Sequence, residues 1–157
     1  MPDTPPSQAS IFGRYLCESI ERLLGCLDGL TPDQLDWQPP APEANSLYVL
    51  AVHTMANAEE VVVFVLGGQP NQRNREAEFL AQATSGAALD ERWHSLHAQI
   101  TDTLAGLPDS ALDAVVDHPR RGRISGREVL ILACRHAAVH AGQAELTRDL
   151  LRAATVG

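Results

Sequence analysis

The chain has 157 residues, 45% of them apolar and 20% charged, which suits one independently folding globular domain over 1–157 and excludes a disordered or disulfide-stapled protein. Twelve basic residues against twenty acidic ones give a net charge of −8, so the summed field repels nucleic acid and anionic membranes. All the basic residues are arginine, which excludes a P-loop or Schiff-base lysine, and three cysteines without a CxxC spacing point away from a cysteine zinc cage and towards a reducing cytoplasm.

In chain order, the polar, proline-rich start reads as a flexible lead over residues 1–8, with no export signal. Phe12, Tyr15, Leu16, Ile20, Leu23, Leu24 and Leu27 then mark one helical stripe that ends near Gly29. Thr31-Pro32-Asp33-Gln34 predicts a capped short turn, and the three prolines between Gln38 and Glu43 exclude helix there. A second long helix is expected from Asn45 or Ser46 to Gly67-Gly68. It is apolar nearly all round, which predicts burial on several sides and a helix-mediated homodimer, although no apolar run reaches the ~18 residues of a membrane span. One narrow polar strip interrupts it, made of Ser46, His53, Asn57 and Glu60.

Residues 69–86 read as a polar excursion with a turn of helix around Arg75 to Leu80. Leu89, Trp93, Leu96, Ile100, Leu104 and Leu107 define a third long helix that Pro108 ends. HPRRGRIS is expected to be irregular, and Ser125 to Glu128 form a capping box that opens a last helix running to about Arg152. Strand signals are almost absent, so the expected class is all-α, with four long helices packed as a bundle.

In the last helix Val129, Leu132, Ala133, His136, His140, Ala144, Thr147 and Leu151 share one face, so HAAVH aims two imidazoles inward from successive turns. A lone inward histidine is more often a satisfied core residue, but two side by side need partners for four ring nitrogens. A shared divalent metal ion meets that need, and His53 in the lone polar strip is the candidate third donor. Glu60, Asn57 and Gln143 are the candidate catalytic or ligand-orienting groups. Glu60 is the better base chemically, against a solvated carboxylate as the plainer reading, and Gln143 is equally a ligand orienter or a polar residue at a helix end. Arg120, Arg121 and Arg123 form either a site for an anionic cosubstrate or a solvated loop. His97 is either a further group at the site or a flank histidine, His94 is solvated, His118 is expected to be exposed, and Trp37 and Trp93 are packing residues.

NSLYVLAVHTMAN around His53 and RHAAVHAGQAELTRDLL at the end, with its HxxxHxGQ pattern, resemble the paired signatures of the DinB-like superfamily of metal-binding helical proteins. The resemblance implies an up-up-down-down four-helix bundle with a crossover connection, often a homodimer, carrying a divalent ion on His53, His136 and His140. Zinc or nickel is the expected metal, with iron or manganese next. The family includes thiol-dependent transferases and isomerases, so a low-molecular-weight thiol is an expected cosubstrate, and a thiol S-transferase or a hydrolase acting on a small molecule is the expected activity. The alternative is a non-catalytic bundle that the metal staples together for a partner-binding or stress-response role.

Overall fold

The computed structural model describes residues 6–156. The chain is mostly helical. Helix α1 (Gln8–Leu24) starts where the Ser7 hydroxyl accepts the Ser10 N–H, so residues 7 and 8 belong to the helix and its cap instead of a flexible lead. Of the rest of that expected lead, residue 6 is irregular and exposed, and residues 1–5 lie outside the described residues. The helix stops sooner than its stripe suggested: a 3-10 turn at Gly25–Leu27 tightens its end, and Gly29 adopts φ 73°. Tyr15, expected on the buried stripe, is 53% exposed. Helix α2 (Pro32–Asp36) has the full capping box, Gln34 N–H to Thr31 Oγ1 and Thr31 N–H to Gln34 Oε1.

Helix α3 (Leu47–Ala58) is capped by the Ser46 hydroxyl and continues unbroken as π-helical turns through Glu59–Leu66. The wider winding coincides with three consecutive β-branched residues, Val61 to Val63, and ends where the Gly67 N–H donates five residues back to the Val62 carbonyl. Leu47–Leu66 is long and apolar enough by composition to cross a membrane, but His53, Asn57, Glu59 and Glu60 interrupt it and 72% of its most apolar stretch is buried inside the fold, as in a core helix. The apolar girth of α3 is covered largely by this chain's own helices.

Helix α4 (Arg75–Phe79) is a single capped turn within the polar excursion, held by Asn74 at its start. The Asp36 carboxylate accepts the Ala83 N–H and ties the excursion to α2. Helix α5 (Gly86–Ala105), the short α6 (Asp109–Asp113) and the long α7 (Gly126–Val156) complete the helices. α1 packs on α7 and α5, and α3 packs on α5 and α7. Leu16, Ile20, Met55, Ile100, Leu104 and Leu130 fill the space between them. Trp37 and Trp93 are half-buried against this core.

One expectation fails outright. HPRRGRIS is not irregular: β1 (Val115–His118) and β2 (Gly122–Ser125) form an antiparallel hairpin, with His118 opposite Gly122. The Arg121 N–H closes a turn on the His118 carbonyl, and Gly122 takes φ 68°, a left-handed conformation that glycine adopts without strain as the chain enters β2. β-branched Val115, Val116 and Ile124 supply the strands.

α7 then starts beside α6 at close range. A Cβ on Gly126 would lie 2.7 Å from the Ala111 carbonyl oxygen and 3.3 Å from Leu112 Cα, both backbone atoms that cannot swing aside. Gly126→Ala is therefore expected to cost about 1–3 kcal/mol in a urea denaturation series; an unchanged midpoint would show that α6 is free to retreat.

Candidate metal centre

α3 and α7 bring three imidazoles to one point. His53 Nε2 and His140 Nε2 each lie 3.1 Å from His136 Nε2, and one ligand atom from each ring falls within 4.8 Å of the other two. The helical arithmetic explains this: His136 and His140 are one turn apart on α7, and His53 faces them from α3.

The outer nitrogens fix what the inner ones offer. His53 Nδ1–H donates to Glu78 Oε2 at 2.7 Å, and His140 Nδ1–H donates to Gln143 Oε1 at 2.6 Å, so both Nε2 atoms present lone pairs. The Asn57 carboxamide sits between His136 Nδ1, at 3.3 Å, and the guanidiniums of Arg73 and Arg120, each at 3.2 Å; its oxygen belongs towards the arginines and its nitrogen towards the ring. His136 then carries its proton on Nε2, between two lone pairs. Burial lowers the pKa of all three rings, that of His136 to about 3 with its two histidine neighbours adding to the effect. Neutral imidazoles converging through Nε2, two of them braced from behind, are the donor set that a divalent transition metal takes.

Around this centre lies an ion network that the sequence did not reveal. Arg73, from the polar excursion, is 3% exposed. It forks onto Glu78 with Nε–Oε1 2.6 Å and Nη2–Oε2 2.8 Å, and reaches Glu60 with Nη1–Oε2 2.8 Å. Glu60 also accepts from Arg120 at 2.6 Å and Asn71 at 3.0 Å. Glu60 is therefore neither the solvated carboxylate nor the base that the sequence suggested. Burial alone would raise its pKa, but the bonds from Arg120, Asn71 and Arg73 outweigh burial and hold it at about 2, too acidic to take a proton near neutrality. The Phe79 ring packs on His53 with centroids 4.9 Å apart.

The remaining sequence candidates divide. Gln143 does brace a ring. Arg120 and Arg121 line a cavity of about 260 Å³ beside His136 and His140, whereas Arg123 is exposed on β2 and does not line it. His118, expected to be exposed, is buried at 7% and lines the same cavity, because β1 packs against the π-helical turns that continue α3. His97 is not at the site: it stacks on Trp93 and faces Glu21 of α1 at 3.9 Å. His94 is exposed. The cysteines are free thiols, and burial raises Cys17 to about 11 and shifts Cys26 and Cys134 upward too, so none offers a thiolate near neutral pH. Arg73, Glu78, Asn71 and Arg135 had no signal in the sequence beyond their charge or polarity.

A comparison with curated proteins finds no match. Among solved structures, the fold is similar to the crystal structure of a conserved protein from Enterococcus faecalis, with a TM-score of 0.79 and 18% identity, covering 94% of this chain and 99% of that one. A family profile matches residues 15–144, a stretch that contains all three converging histidines and the residues bracing them, and the chain belongs to the DinB superfamily.

Proposed function

We propose that His53, His136 and His140 hold one divalent ion, zinc or nickel before iron or manganese, and that the chain is a metal-dependent enzyme acting on a small molecule. The observation that carries this reading is the convergence of three neutral Nε2 atoms, two of them with their Nδ1–H already committed to Glu78 and Gln143. A bound ion supplies a Lewis acid that makes hydroxide or thiolate available near neutral pH, which is the chemistry of a hydrolase or of a thiol S-transferase with a low-molecular-weight thiol. The protein's own groups hold and orient. For His136 to bind through Nε2 its ring proton would shift to Nδ1, where the Asn57 carboxamide oxygen would accept it, so the ring stays neutral. Asn57 bridges that ring to two guanidiniums, and Glu60 fixes those guanidiniums in place.

The cavity against His136 and His140 favours an open, reactive centre over a stapling one, because a stapling ion would be sealed by protein. The rest of the reading is a single domain with the four long helices as an up-up-down-down bundle, in a reducing cytoplasm, acting as a homodimer without nucleic-acid or membrane partners. The packing of α1, α3, α5 and α7 against one another supports the bundle.

Elemental analysis of untagged protein beside its His53→Ala variant tests the centre. About one divalent ion per chain is expected in the parent and almost none in the variant. Equal metal content in both would overturn the reading.

A further inference from the structure

The 260 Å³ cavity has a wall that the metal reading leaves unused. Arg120 and Arg121 reach it from the hairpin turn, Arg135 from α7 beside His136, and His118 from the end of β1. Arg120 is committed to Glu60. Among the described residues Arg121 and Arg135 have no carboxylate within 4.0 Å. In a chain of net charge −8, two guanidiniums without a carboxylate partner beside one small cavity favour an anion there.

His118 adds a directed donor. Its Nδ1 accepts the Arg120 N–H at 3.1 Å, which leaves the ring proton on Nε2. Among the described residues Nε2 has no hydrogen-bond partner and no fully buried side-chain nitrogen lacks one, so this N–H is accessible on a residue that lines the cavity. The other lining is apolar, from Val61, Leu132 and Val139. The volume lies just below the ~300–1,000 Å³ of sites that enclose drug-sized ligands, so it suits a compact metabolite.

We propose that Arg121, Arg135 and His118 bind an oxyanion of the substrate, which makes the substrate a small organic acid with an apolar body lying on Val61, Leu132 and Val139. Guanidinium forks match the geometry of carboxylate and phosphate oxygens, and the His118 N–H supplies a further donor to the same group. The assignment rests on the metal reading for where the reaction happens, while the oxyanion wall is testable without any metal.

The probes are benzoate and its neutral isostere benzamide, titrated calorimetrically into chelator-treated protein and into zinc-loaded protein. Benzoate is expected to bind at least about tenfold more tightly than benzamide in both preparations, a difference of about 1.4 kcal/mol. Phenyl phosphate, titrated alongside, reports whether the wall favours a planar or a tetrahedral oxyanion; binding of either anion above benzamide supports it. The preference is expected to fall to within about twofold in Arg121→Ala/Arg135→Ala, to weaken in His118→Phe, and to persist in Arg123→Ala, whose arginine lies outside the cavity. Binding of both benzoate and phenyl phosphate no tighter than benzamide to the parent, or an anion preference that survives in the double variant, would overturn the proposal. A preference confined to zinc-loaded protein would assign the anion to the metal and overturn it as well. Failure of the metal reading looks different: no zinc is retained, while the anion preference of the chelator-treated protein stands.

Discussion

Arg73→Ala is expected to destabilise the protein by about 3–5 kcal/mol, a large share of the ~5–15 kcal/mol that holds a typical domain together. The side chain is 3% exposed and sits between two carboxylates that are 4% and 5% exposed. Removing it returns none of those charges to water. Glu78 keeps only the His53 N–H, and Glu60 keeps Arg120 and Asn71. Arg73→Lys should recover only part of the loss, because an ammonium cannot span Nε–Oε1 and Nη2–Oε2 on one carboxylate and still reach the other. Urea midpoints on chelator-treated protein measure both variants. Acid provides an internal check, since Glu60 has a folded pKa of about 2 against an ordinary 4.5. Its stabilising contribution is complete above pH 4.5 and is lost as the pH falls through 2. Without Arg73 the folded pKa rises towards 4.5 and that pH dependence flattens. The gap between parent and variant is therefore widest at pH 7 and narrows below pH 4. A gap that stays constant from pH 7 to pH 3 would show that the network contributes through packing alone.

The long helices were legible because their apolar residues recur at helical spacing over many turns, which is long enough for angular arithmetic to fix a face. That arithmetic put His136 and His140 on one side of α7 and set His53 and Asn57 apart on α3, and these are the residues the fold brings together. It failed where elements are short. Strands of four residues around Pro119 and Gly122 leave no alternation to detect, so the hairpin that delivers His118 and Arg120 looked like loop. The five residues of α4 make little more than one turn, too little for periodicity to single out Glu78 from Glu76. Glu60 shows the consequence. Its position on the polar strip was readable, but its chemistry was not, because the groups that fix its charge state, Arg73, Asn71 and Arg120, all come from segments without a pattern. The π-helical turns of Glu59–Leu66 had no signature beyond a valine run that equally suits a regular helix.

Glu78→Gln is expected to lower zinc affinity by about 10–100-fold without changing the stoichiometry of one ion per chain. The glutamine oxygen can still accept from His53 Nδ1, so the tautomer that leaves Nε2 unprotonated is retained. The negative charge that makes the imidazole a stronger donor is gone, and the new amide N–H groups confront Arg73, which has only donors to offer. The excursion that carries Glu78 and Phe79 against His53 is then held less firmly. Gln143→Ala provides the graded comparison: its bond to His140 is short but neutral and exposed to water, which can replace it, so the loss should fall well below that of Glu78→Gln. Competition against a chromophoric chelator at constant pH gives all three affinities, equivalent to about 1.4 kcal/mol for each tenfold change. If Glu78→Gln binds zinc as tightly as the parent, the carboxylate charge behind His53 contributes nothing to its donor strength, and only loss of the metal in His53→Ala would still mark His53 as a ligand.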